Sequence, residues 1–245
     1  TSSGLWGAGG GTITGNGTFI KTSAGTLTLD GANAVDLTAP GTFQINDGFV
    51  DVTAAGGVGV NTALQVNSTA NTTGSIEFEA DDTIGSLAGT GGNAEVTIDS
   101  GATLTTGGLN TSTTYAGEID GEGALTKTGT GTMTLTGFNT YAGGTNVNGG
   151  ELDGFAGTNA SNGSLQGNIA ISGGANVTFD QSLSPNGNGS GTYAGDITGS
   201  VGSVSFQGTG STVLTLAGDN SGFSGQQDFN SGTVAIGAAT NLGTG

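Results

Sequence analysis

Residues Gly123–Gly150 read GALTKTGTGTMTLTGFNTYAGGTNVNGG, and residues Gly17–Asn33, GTFIKTSAGTLTLDGAN, lie over the first seventeen positions without a gap. Nine of the seventeen are identical, and the only two cations of the chain, Lys21 and Lys127, take the same place. A degenerate third copy spans Gly208–Ile236, where Leu135, Gly137, Asn139, Gly150 and Leu152 answer to Leu216, Gly218, Asn220, Gly232 and Val234. Units of this size bury their apolar faces on their neighbours, so repetition predicts an elongated solenoid rather than a sphere around one core.

Working outward, the same alternation of an apolar residue with Thr, Ser, Asn or an acid recurs at 18–21, 26–29, 42–45, 49–52, 63–66, 75–78, 94–98, 132–135, 168–171, 175–179, 201–206, 213–216 and 233–236. Most are bounded by Gly, Asn or Asp, the signature of short half-buried strands between tight turns. In TLTL, Leu27 and Leu29 face inward and Thr26 and Thr28 face water. No stretch carries a helical apolar stripe. The copies are unevenly spaced along the chain, which a coil absorbs in its corner loops and a sandwich does not. The expected fold is therefore all-β, a right-handed parallel β-helix forming a single domain over 1–245, with roughly 20 to 25 residues per coil and about ten coils.

Composition narrows the function. Nineteen acidic groups stand against two lysines, with no Arg and no His, for a formal net charge of −17. Nucleic-acid affinity comes from Lys and Arg on phosphates, so nucleic acid is excluded as a partner, and an anionic bilayer is disfavoured for the same reason. The chain has no Cys, which fits export through oxidising compartments. No apolar run is long enough for a membrane-spanning helix. The first residues, TSSGLWGAGGG, have neither the basic region nor the apolar stretch of a signal peptide.

The passage 83–153 then carries a resemblance. Its IGSLAGTG opening, TTYAGEIDGEG turn, LTKTGTGTMTLTG centre and NTYAGGTNVNGGELD close are similar to the β-strand repeat of autotransporter passenger domains, with weaker echoes at 17–52 and 192–237, where TYAGDITG repeats TYAGEIDG. The resemblance implies a right-handed parallel β-helix, exported through an outer-membrane barrel and displayed on, or shed from, the bacterial outer cell surface.

Acids are the only abundant reactive groups. In IEFEADD, Ile76 and Phe78 face the core, while Glu77 and Glu79 project from the other face ahead of Asp81 and Asp82. Carboxylates so placed are the candidate calcium ligands, since Ca²⁺ takes six to eight oxygens; a solvated strand face ending in an Asp turn is the plainer reading. Glu118, Asp120 and Glu122 raise the same question without matching a known calcium loop. Catalysis is not expected: a Ser nucleophile lacks a His, and the two lysines read as outer-face features of the repeat. Tyr115, Tyr141 and Tyr193 share a TYAG context that suggests a structural corner, and Trp6 is read as a cap on the first coil. Outward Thr pairs recur irregularly, and the NxS/T triplets follow from composition, so neither is given a function.

The expected function is that of an extracellular structural or adhesive solenoid, working through extended-surface contact and self-association. Partners are a second copy, through unpaired strand edges, or host or matrix glycans and surface proteins. A carbohydrate-active or carbohydrate-binding β-helix is the alternative.

Overall fold

The computed structural model describes residues 10–39, 41–157, 163–185 and 189–244; Trp6 lies outside them. All strand pairs between named strands are parallel, and the chain winds through three faces in turn, making a β-solenoid of about nine turns against the ten expected. Two short 3₁₀ turns, Gln181–Leu183 and Ala239–Leu242, are the helical elements among the described residues.

The first face begins with the leading halves of two long strands, Thr18–Leu29 and Thr42–Val52, and continues through Ala63–Val66, Ser86–Ala88, Thr113–Tyr115, Thr132–Leu135, Glu151–Gly154, Asn176–Asp180, Ser203–Gln207 and Gln226–Phe229. The trailing halves of the same long strands start the second face. It runs on in Gly74–Phe78, Glu95–Ile98 and Glu118–Asp120, passes through non-strand backbone at 139–141 and 163–166, and resumes in Gly191–Tyr193, Val213–Leu216 and Thr233–Ile236. The third face holds Gly11–Gly15, Asn33–Leu37, a single bridge at Val58, then Asp82–Thr83, Thr103–Thr106, Ala124–Lys127, Thr145–Val147, Ile169–Ile171 and Ile197–Thr198.

Parallel, in-register pairing stacks inward side chains in columns. Leu29, Val52, Phe78 and Ile98 form one on the second face, all buried. Phe179, Phe206 and Phe229 form another on the first face, with ring centroids 5.8 and 5.0 Å apart. Apolar alternation marked eleven of the twenty-four strands among the described residues and passed over Gly11–Gly15, Asn33–Leu37, Thr103–Thr106, Ala124–Lys127, Glu151–Gly154 and Gln226–Phe229 among the longer ones. The two- and three-residue ones at 82–83, 113–115, 118–120, 145–147 and 191–193 are too short for alternation to register.

The three repeat copies do not sit in the same phase. In the first copy, 18–21 lie on the first face, 26–29 on the second and Asn33 on the third. In the second copy, 124–127 lie on the third face, 132–135 on the first and Asn139 against Ile119 of the second. The third copy returns to the first phase, with 213–216 on the second face and Asn220 against Ile197 of the third. The repeat thus encodes a local strand, corner, strand unit that starts on the first face in two copies and on the third face in the other.

Both lysines correct the expectation that they lie on the outside. Lys127 is 2% exposed, and its Nζ donates to the carbonyls of Thr128 at 2.6 Å, Gly129 at 3.3 Å and, one rung on, Gly149 at 3.2 Å. Lys21, 8% exposed, donates to Ser23 and, one rung on, to Asp47 at 2.9 Å. Burial pushes both ammonium groups below the ordinary lysine range, against the pull of Asp47 at Lys21. The alternation placed them inward with Leu125 and Phe19; the usual preference of lysine for water hid it. Their carbonyl partners are the orphans of a tight turn, so the ammonium staples a corner to the next one. Gly48 completes the first staple: its φ is +78°, and a Cβ there would stand 2.4 Å from Lys21 Nζ. The third copy has no lysine, and there Ser231 Oγ bridges instead, donating to the Gly208 carbonyl at 2.7 Å and accepting from its N–H at 3.0 Å.

The repeat asparagine is a second staple. Asn139 Oδ1 accepts from the Ile119 N–H at 2.8 Å and its Nδ2 donates to the Ser164 carbonyl at 2.6 Å; Asn220 does the same with Ile197 at 2.7 Å and Asn241 at 2.5 Å. Both side chains are buried and span three consecutive rungs where regular strand is missing. Asn139→Ala leaves a buried donor and a buried acceptor unpaired. It is expected to cost roughly 1–3 kcal/mol for each, read as a lowered urea midpoint; an unchanged midpoint would contradict the staple.

Candidate functional site: an acidic outer face

On the second face, outward positions alternate with the buried columns. Asp51, Glu77, Thr97 and Asp120 stand in register in one outward row, and Ser75, Glu95 and Glu118 in the next. Asp99 and Glu79 flank the strand ends, bringing seven carboxylates onto the same few rungs. The charge of Asp99 acts on Glu77 and that of Asp120 on Glu95. Glu118 accepts from Thr140 Oγ1 at 2.8 Å, while buried Oδ1 atoms of Asp51 and Asp120 have no hydrogen-bond partner. No lysine offsets this row, because both are committed to corners.

The four acids singled out in the sequence are divided by the corner. Glu77 is half-buried in the acidic row and Glu79 is exposed beyond it. Asp81 Oδ1 accepts from the Thr103 N–H at 2.8 Å. Asp82 turns onto the third face, 4% exposed, and accepts from the N–H groups of Val58 at 3.2 Å and Thr83 at 2.6 Å. Among the described residues no group of three or more His, Cys, Asp or Glu side chains is arranged to hold a metal ion. What sequence reasoning missed is the cross-rung partnership of Glu77 with Asp51 and Asp99, since register between rungs is not visible in one strand. Glu122 is exposed at a corner.

The tyrosines are structural. Tyr115, Tyr141 and Tyr193 are buried, and their hydroxyls bond the Glu118 carbonyl at 3.2 Å, Thr145 Oγ1 at 2.7 Å and the Gly167 carbonyl at 2.6 Å. Among the described residues, the large aromatic rings left exposed are Phe138 and Phe229.

Several carboxyls sit above their ordinary range. Burial, then Asp99 and Asp51, raises Glu77; burial, then Asp120 and Glu118, raises Glu95. Burial pushes Asp82 up to about 6, and burial followed by Asp180 and Glu151 pushes Asp153 up to about 7. Each of these groups holds its proton more tightly folded than unfolded. Its stabilising contribution is present in full below the ordinary carboxylate value and is lost as pH rises through the folded value. Asp30 and Asp219, lowered by the turn N–H groups of Asn33 and Ser221, act in the opposite sense only at still lower pH. The rod is therefore expected to be more stable near pH 5 than near pH 8, with Asp153→Asn flattening the upper part of that slope in urea titrations. A stability that rises with pH across this range would contradict the assignment.

Comparison with known proteins bears on what such a rod is. The family model for the Passenger-associated-transport-repeat matches residues 19–51, 125–153 and 208–236, the three copies described above. The chain is also 31% identical over 290 aligned residues to the adhesin BmaC autotransporter of Brucella suis biovar 1 (strain 1330), an alignment covering 96% of the chain. It spans only 8% of that relative's length. No solved structure matches it. The chain carries passenger-associated-transport repeats and is autotransporter passenger sequence.

Proposed function

We propose that the chain is an adhesive segment of a passenger exposed at, or released from, the bacterial outer surface, acting without catalysis through contact along its rod. The observation that carries this is the division of labour within each rung: inward positions form the core, both cations are spent on corners, and the outer faces carry carboxylates, Thr, Ser and Asn. Such faces suit broad polar contact. The relative's name as an adhesin supports the same reading.

Self-association belongs to this proposal. Phe229 in Gln226–Phe229 and Ile236 in Thr233–Ile236 are 54% and 43% exposed, although both stand in register with buried residues of the preceding rung. Apolar side chains exposed along these strands can pack against those of a second copy. Displayed on a non-adherent bacterium, the chain is expected to raise binding to host cells or matrix and to promote clumping, with calcium present or chelated. Phe229→Asp is expected to abolish the clumping and leave the adhesion. Adhesion no different from an undisplayed control, or release of oligosaccharide from a polysaccharide by the purified chain, would overturn the reading.

A further inference from the structure

A cleft interrupts the third face, and a carboxylate stands in it where the core should be. Asp82 pairs with Leu104, and the same inward column continues through Leu125, Thr145, Ile169 and Ile197. On its other side the face is reduced to the Val35–Val58 bridge, and the Val58 N–H meets the Asp82 carboxylate in place of a strand carbonyl. The missing ladder opens a cavity of about 460 Å³ lined by Ala34, Asp36, Ala55, Val60, Asp81 and Asp82, with Val60 55% exposed at the rim. Glycine keeps it open: a Cβ on Gly59 would lie 1.9 Å from Asp36 Oδ1.

We propose that this cleft is a slot for a lysine or arginine side chain presented by an extended segment of a partner protein. Asp82 is a nearly buried carboxylate with no counter-cation among the described residues, an arrangement that a bound cation would offset. Three features select the class of ligand. The acids are strung along the cleft and not grouped as metal ligands. No aromatic ring lines it, so a sugar has no stacking platform. Ala55 and Val60 give an aliphatic stem an apolar wall, while the carboxylates receive the charged head. A second copy of this chain cannot supply that head, because its two lysines are bonded into corners.

Burial that raises Asp82 to about 6 adds a signature. Asp36 and Asp81 are the other titratable groups lining the cleft. A cation favours the ionised carboxylate, so affinity is expected to fall as pH drops through that value.

The slot takes its biological setting from the adhesive reading, but the two fail separately. The direct experiment is calorimetric titration of the chain with hexa-arginine at low ionic strength, with hexaglycine as the blank. Asp82→Asn is expected to weaken binding about tenfold or more. Glu122→Gln, which removes the same charge at an exposed corner away from the cleft, is expected to leave it within about twofold. Val60→Arg sits on an exposed rim position, leaves the core intact, and supplies its own cation; it is expected to block hexa-arginine even if Asp82→Asn folds poorly. Equal weakening by Asp82→Asn and Glu122→Gln, or undiminished binding to Val60→Arg, would overturn the slot while leaving surface adhesion untouched. Displacement of the peptide by calcium that vanishes in Asp82→Asn would assign the cleft to a metal and overturn it too.

Discussion

The backbone hydrogen bonds of this protein run along the rod, from each rung to the rungs on either side, and everything else follows from that. A rung cannot satisfy its own N–H and carbonyl groups or bury its own apolar residues; only its neighbours can do either. Inward residues must therefore stack in columns, as Leu29, Val52, Phe78 and Ile98 do. Wherever strand pairing lapses, a side chain has to stand in for it. Asn139 and Asn220 do so on the faces, Lys21, Lys127 and Ser231 at the corners, and Asp82 at the gap beside Val58.

Much of the rod was legible in the sequence because its two strongest signals, alternation and repetition, are local. TLTL and TMTL announce which residues point inward, and the structure buries Leu29, Met133 and Leu135 accordingly. Features that depend on the relation between rungs were not legible. The second copy is rotated by one face, and that rotation leaves no mark within the repeat. Lys127 has the inward parity of Leu125, yet the carbonyl of Gly149 that makes its burial tolerable lies on another rung. Glu79 stands two residues from Glu77 in the sequence, whereas the acids that perturb Glu77 most are Asp99 and Asp51, one rung to either side.

Sequestering the cations has an electrostatic consequence for the surface. A chain with nineteen acids and two lysines is already anionic, and placing both lysines in corners leaves the described outer faces without a positive group to break the field. Like charges stacked at the rung spacing of about 4.8 Å repel, and with no cation on the row this repulsion adds to burial in raising Glu77 and Glu95 above the ordinary carboxylate range. The fold tolerates this because its stability resides in the columns and the axial ladder.

The burial of both lysines is the point at which corner chemistry, surface charge and partner preference meet. Mass-spectrometric mapping after brief treatment with an amine-acylating reagent measures it directly. Lys21 and Lys127 are expected to resist modification in the folded chain and to react at the rate of a free lysine once the chain is unfolded in denaturant. Acylation of both at the free-lysine rate in the folded protein would contradict the staples, the cation-free surface and the account built on them.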